Sequence, residues 1–297
     1  MMDTSMLQFL AAPFVASLIL TGIHAYLGVH VVERGVIFVD LSLAQIAALG
    51  ATIAILLPIS GGDPHAPVVY WISLLFTFIG AAVFSTIRVK RARIPQEAII
   101  GICYAVASAA AILAMSKATS ESEHLKDMLV GNILAVSWPE VARTAALYGA
   151  IGAFHFIFRK NFLAISMDAA QAEASGISIK LWDFLFYASF GFVVTSSVSI
   201  AGVLLVFCYL IVPSVAAMLY SDHIGKRLAI GWTMGTIVSA LGVYMSLQLD
   251  LPTGATIVCT FGLVLIIMAG VRPLIQRHPP TDVHQVDYVD HAHGHHH

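Results

Sequence analysis

Charge is what this sequence has least of. Of 297 residues only 11% are Asp, Glu, Lys or Arg, whereas 59% are hydrophobic and mean hydropathy is +0.87. So little charge excludes an ordinary water-soluble domain, in which about a quarter of residues are charged. Cysteine is scarce as well. Cys103, Cys208 and Cys259 show no Cys-x-x-Cys spacing, which argues against a disulfide framework or a cysteine metal site and leaves them as packing residues. No Gly-x-x-x-x-Gly-Lys-Ser/Thr loop occurs, so ATP hydrolysis is not placed in this chain. No segment alternates with period two as an outer-membrane barrel strand would, and no motif supplies a paired nucleophile and base. A basic leader is missing too: only Asp3 precedes the first apolar run, which therefore reads as a retained helix and not a signal peptide. A net charge of −2 implies no nucleic-acid partner.

Long uncharged runs are what the sequence has instead. Residues 4–32, 41–62, 64–87, 98–116, 144–158, 184–221, 228–249 and 251–271 contain no Asp, Glu, Lys or Arg. About 20 such residues cross a bilayer core as a helix. The run 184–221 is long enough for two crossings, with the patch Thr195, Ser196, Ser197, Ser199 and Gly202 near its middle. The expectation is an all-α polytopic membrane helix bundle with about nine transmembrane helices, eight to ten allowing for error. Loop charge sets the orientation, because cytoplasmic loops collect Lys and Arg. Alternate loops place Arg34, Arg88, Lys90, Arg91, Arg93, Arg159, Lys160, Lys180, Lys226, Arg227, Arg272 and Arg277 on one side, leaving Lys117, Lys126 and Arg143 for the other. That twelve-to-three split puts the N-terminus outside and the C-terminus in the cytoplasm.

Two connections are long. The outer one, 117–143, mixes charge with an apolar stretch at 128–138 and suggests a short helix at the membrane. The inner one, 159–182, holds Asp168, a natural cap for a small-faced helix that Gly176 would stop. That helix reads either as a connector or as a docking element. The chain closes on a His-rich stretch at 284–297, able to bind Zn²⁺ or related ions. The resulting division is one transmembrane domain over 1–278 and a His-rich, unstructured cytoplasmic tail over 279–297.

Ionisable side chains inside a bilayer are costly and mark functional sites. Asp40 opens the second expected span inside an apolar context, and His24 and His30 lie in the inner part of the first. A carboxylate and imidazoles converging at similar depth would bind a divalent transition metal. The plainer alternatives are that Asp40 caps its helix or pairs with Arg34 and that each histidine reaches the headgroups. His155, Glu97 and Asp183 lie near helix ends, where structural roles, a cap in the case of Asp183, are expected. The Thr195 to Ser199 hydroxyls either mark a broken helix or bond back to their own carbonyls.

Several stretches in order resemble one family: Gly-Asn-Ile-Leu-Ala-Val-Ser at 131–137, Ala172-Glu-Ala-Ser-Gly176, Ala-Gly-Val-Leu-Leu at 201–205, Leu-Ile-Val-Pro at 210–213 followed by Ala216 and Ala217, and Leu-Asp-Leu-Pro-Thr-Gly at 249–254. Together they resemble the permeases of zinc, manganese and iron ABC importers, the ABC-3 family, over nearly the whole chain. The resemblance implies a type II ABC-importer-like permease in a bacterial-type plasma (inner) membrane, paired with a second copy. It implies a separate ATPase subunit docking on the segment with Asp168, Ala172, Glu173 and Gly176, and an extracytoplasmic metal-binding protein delivering cargo. The cargo would be a divalent ion, zinc first and then manganese or iron, moved by alternating access with no covalently bound cofactor. A transporter driven by an ion gradient is the competing expectation. Family members carry Gly-Asp-x-x-Ser-His in the second span, with Asp and His implicated in metal passage. Here Asp40 matches, but the histidine position falls on Ala44, or on Gln45 if the alignment shifts by one. The expected metal residues are therefore Asp40 and Gln45, with either His24 or His30 rebuilding the set or a different substrate carried.

Overall fold

The chain turns wherever glycine, proline or a capping side chain interrupts an uncharged run. The computed structural model describes residues 4–61, 63, 66–87, 95–115 and 133–275. Helix α1 (Thr4–Glu33) ends in a tight turn at Gly35, and α2 (Val39–Leu56) stops before Pro58. Then come α3 (Pro67–Ile87) and α4 (Gln96–Met115), the latter opened by Pro95. The fifth helix, α5 (Trp138–Ile157), starts in a capping box in which the Ser137 amide and hydroxyl both bond to Glu140. It runs into α6 (Arg159–Met167) and α7 (Ala169–Ala174). Helices α8 (Ile179–Ala201), α9 (Val203–Met218), α10 (Ile224–Leu249) and α11 (Thr253–Ile275) complete the bundle. No strand occurs among the described residues.

Nine helices, α1 to α5 and α8 to α11, coincide with the nine expected crossings among the described residues. Seven of these, all but α5 and α9, are each long and apolar enough to cross a membrane. Helix α5 passes only together with α6, from which it is bent by 74°, and α9 is an apolar helix of 16 residues. By length and composition the count is thus seven, or eight with the bent pair, below the expected nine. The long run 184–221 breaks at Gly202, the last residue of the expected patch, and not among its hydroxyls. Ser196, Ser197 and Ser199 instead bond back to carbonyls of their own helix. Of the stretch 128–138, where the outer connection was expected to form a short helix, residues 133–138 are described and hold a 3-10 turn at Ile133–Ala135 before α5 begins, whereas the His-rich tail lies wholly outside the described residues.

Contacts between helix ends fix two faces. At one face the end of α1 meets the start of α8 through Arg34 and Asp183, and the start of α10 through Glu33 and Arg227. The start of α4 joins them through Glu97, which accepts the Phe38 amide at 2.9 Å. Arg34, Arg159, Lys160, Lys180, Lys226, Arg227 and Arg272 all belong to this face. Of the described basic residues only Arg143, near the start of α5, sits toward the other, where α5 packs on Ala12 and Ala16 through Val141.

Small residues hold the bundle, since between helices in lipid the hydrophobic effect gives no net attraction and close packing must replace it. Helix α1 is the most enclosed crossing, and α4 and α11 are the most peripheral. A Cβ built on Gly28 would lie 1.9 Å from the Leu210 carbonyl oxygen of α9, so α1 and α9 touch backbone to backbone there. Side-chain hydrogen bonds add to this: Ser73 donates to Ala47 O at 2.8 Å, Trp232 to Gly22 O at 3.0 Å, and Tyr209 meets Ser239 at 3.0 Å. Each is worth about 0.6–2 kcal/mol. Gly28→Ala is expected to cost ~1–3 kcal/mol through overpacking, read as a lower midpoint of thermal unfolding in detergent.

Candidate functional site

Several buried side-chain atoms have no hydrogen-bond partner among the described residues, the hydroxyls of Thr21, Ser42 and Ser108 among them, and two of the groups concerned could bind a metal ion. The first is Asp40 in the opening turn of α2, 1% exposed, neither of whose carboxylate oxygens is hydrogen-bonded among the described residues. The second is Nε2 of His24, on a fully buried ring. Its other nitrogen, Nδ1, lies 2.8 Å from the Leu20 carbonyl oxygen. A carbonyl only accepts, so Nδ1 carries the proton and Nε2 keeps its lone pair. Metal-binding histidines are commonly held this way, one ring N–H on a carbonyl and the other nitrogen facing the ion.

Tyr148 of α5 lies near both groups. The His24 ring meets it edge-on, centroids 6.2 Å apart, and Asp40 lies within electrostatic reach of Tyr148 and of Cys208 on α9. The Tyr148 hydroxyl is occupied by Val193 O and Ser196, so it contributes a wall and not a free donor.

The other expected metal residues lie elsewhere. At about 100° per residue, Gln45 projects about 140° around α2 from Asp40, whereas Ala44 is only about 40° away. Ala44 is buried in the apolar core and Gln45 is half-exposed. The position beside Asp40 is thus filled by a methyl group, and the glutamine does not replace the family histidine there. His30 does not join Asp40 either. Its ring packs on Tyr26 and Phe186 at 4.8 and 5.8 Å, and its Nδ1 bonds to Ser166 Oγ at 2.8 Å. Among the described residues no three of His, Cys, Asp and Glu form a group that could hold a metal.

A second polar cluster lies where α1, α5, α6 and α8 meet at the basic face. Arg34 neither pairs with Asp40 nor reaches water: its guanidinium donates to Asp183 at 2.6 Å with both side chains fully enclosed, and it lies 4.0 Å over the Phe186 ring. Asp183 is thus the buried partner of Arg34, not the helix cap expected of it, because it stands a full turn inside α8 and faces α1. His155 Nε2 bonds to Ser189 at 2.8 Å, Tyr26 reaches its Nδ1 at 3.3 Å, and its ring stacks on Phe162 at 4.2 Å. Sequence reading missed this cluster because its members come from four separated segments. The one signal was Asp183 itself, an acid at the start of an otherwise uncharged run.

Beyond this cluster the surface is built by α7. Asp168 caps it by accepting the Gln171 amide at 2.9 Å, and Gly176 ends it with φ of +85°. Asp168, Glu173 and Gly176 are exposed, but Ala172 is buried and anchors the helix to the bundle. Beside it runs a groove of about 390 Å³ between the end of α3 (Ser85, Thr86) and Glu173, Gly176 and Lys180.

The sequence profile of the ABC 3 transport family matches residues 6–271. The chain belongs to the ABC 3 transport family. Among relatives of this ABC 3 permease, the manganese transport system membrane protein MntC of Listeria monocytogenes is 28% identical over 211 residues, covering 69% of this chain and 75% of that protein. The chelated iron transport system membrane protein YfeC of Yersinia pestis is 27% identical over 224 residues, 71% and 76% of the two chains. In structure the permease resembles PsaBC from Streptococcus pneumoniae, solved with a Fab, with a TM-score of 0.72 over 88% of this chain and 90% of that one at 24% identity. At that identity the likeness concerns the fold. The fold class is therefore a polytopic helix bundle of the ABC-permease kind. Both relatives are named for manganese or iron, and neither for the zinc that the sequence reading ranked first.

Proposed function

We propose that this chain is the membrane-spanning subunit of an ATP-driven importer of a divalent transition metal, and that Asp40 and His24 line its path. The observation that carries the reading is the pair of unpartnered buried groups, an acceptor-only carboxylate and an imidazole nitrogen with its lone pair free. Leaving such groups unpaired costs several kcal/mol unless a cation visits them. One carboxylate and one imidazole make an incomplete ligand set, which suits a site that passes an ion onward and does not keep it. A carboxylate without a neighbouring imidazole at position 44 favours Mn²⁺ or Fe²⁺ over Zn²⁺, in agreement with the names of the relatives. Family membership weighs against a transporter driven by an ion gradient.

The remaining parts follow from the same reading. A second copy of the chain completes the pathway, a separate ATPase docks on the exposed face of α7 through Asp168, Glu173 and Gly176, and an extracytoplasmic binding protein delivers the ion. The basic face is cytoplasmic, in line with its Lys and Arg content. ATP binding moves α7, and the bundle switches the side to which its path opens. Gly176→Val forces a β-branched residue into a left-handed conformation at a cost of about 1–3 kcal/mol. It is expected to weaken ATPase capture about tenfold in a pull-down from detergent while leaving the permease folded. Unchanged capture would remove α7 as the docking element. The reading as a whole is tested by metal-stimulated ATP hydrolysis in the reconstituted complex across Mn²⁺, Fe²⁺ and Zn²⁺. Equal stimulation by all three would remove the metal preference, and none would remove the metal cargo.

A further inference from the structure

We propose that Ser166, His30, Arg34 and Asp183 form the linkage that carries motion of the docking segment into the transport path. This rests on the ATP-driven reading above. Ser166 stands in the last turn of α6, two residues before the Asp168 cap of α7. Its hydroxyl donates to Phe162 O at 2.9 Å and so receives two bonds, from Arg34 Nε at 2.9 Å and from His30 Nδ1 at 2.8 Å. That leaves the oxygen saturated, with one proton given and two received. His30 sits on α1, the helix that also carries His24, and Arg34 directly follows its last residue. Arg34 extends the chain to Asp183 of α8 at 2.6 Å, and one residue further Gly35 turns α1 toward Asp40 on α2.

The placement is unusual for a packing device. A polar network enclosed among Phe162, Phe186 and Tyr26 has little latitude: displacing Ser166 takes the shared acceptor from Arg34 Nε and His30 Nδ1 where water does not reach. Motion of the α6–α7 segment is therefore favoured together with motion of α1 and α8, not past them. Ordinary apolar contacts at this point would slide. The linkage joins the segment outside the bundle to the helix bearing one path residue and, through one short turn, to the helix bearing the other. These four side chains are positioning residues, because none is placed in the path itself.

The test uses the complete transporter, with ATPase and binding protein, in proteoliposomes, and reads both ATP hydrolysed and radioactive Mn²⁺ imported. In Ser166→Ala and in the double variant Arg34→Met/Asp183→Leu, hydrolysis should stay within about twofold of wild type while Mn²⁺ moved per ATP falls about fivefold. Ser166→Thr, which keeps the hydroxyl, should restore the ratio. A merely structural role would lower hydrolysis and uptake in parallel, and an unchanged ratio in both variants would overturn the proposal. If the double variant does not assemble, Ser166→Ala decides alone by the same ratio. A wild-type chain that recruits no ATPase would instead overturn the ATP-driven reading, and the linkage with it.

Discussion

Asp40→Ala is expected to lower Mn²⁺ uptake by the assembled transporter about 100-fold while leaving the protein at least as stable as wild type. The two halves of this expectation have one cause. A buried carboxylate with no hydrogen-bond partner contributes nothing to holding α2 in place, so its removal relieves desolvation and breaks no bond. The same absence of partners makes it available to a passing cation. Truncating a buried charge that meets an opposite charge costs about 2–5 kcal/mol of interaction, and each 1.4 kcal/mol is about a factor of ten. The measurement is uptake in proteoliposomes alongside thermal unfolding of the purified permease. Asp40→Asn, close in shape but neutral, should fail in transport as Ala does. Uptake near wild type in either variant would take Asp40 out of the path.

Asp183→Ala should behave in the opposite way, losing about 3–5 kcal/mol of stability. Here the carboxylate has a partner, and removing it takes away the charge that the buried Arg34 guanidinium meets at 2.6 Å in an enclosed site. Stacking on Phe186 compensates only in part. The double variant Arg34→Met/Asp183→Leu should recover most of the loss, because two apolar side chains of similar volume remove both charges together. Unfolding of the three proteins in detergent closes the cycle. Additive losses would mean that the two side chains act independently despite their 2.6 Å contact.

Asp40 and Asp183 illustrate what can be read without coordinates. Both are lone acids beside long apolar runs; for Asp40 the sequence left open a metal ligand, a helix cap or a partner of Arg34, and for Asp183 it suggested a helix cap. Only the arrangement of α1 against α8 shows that Arg34 belongs to Asp183, and this frees Asp40. Gln45 is a similar case. An alignment shifted by one residue is harmless on paper, but on a helix it turns a side chain by about 100°. His24 and His30 looked equivalent by depth, yet one nitrogen of His24 stands without a partner, whereas His30 is tied into the cluster with Ser166.

By itself the sequence determined the class of the molecule and its layout. Run length and charge content are one-dimensional properties, and a bilayer responds to them directly: apolar stretches become helices, basic connections gather at one face, and Asp168 and Gly176 bound a short helix through bonds to near neighbours. It also carried enough ordered motifs to indicate the family. Tertiary structure decided the length of α9, the bend between α5 and α6, and above all the pairing of polar groups. Those pairings join residues separated by more than a hundred positions, such as Arg34 with Asp183 and His30 with Ser166. Partner choice among buried charges depends on which helix faces which and at what angle, a three-dimensional quantity that hydropathy does not encode.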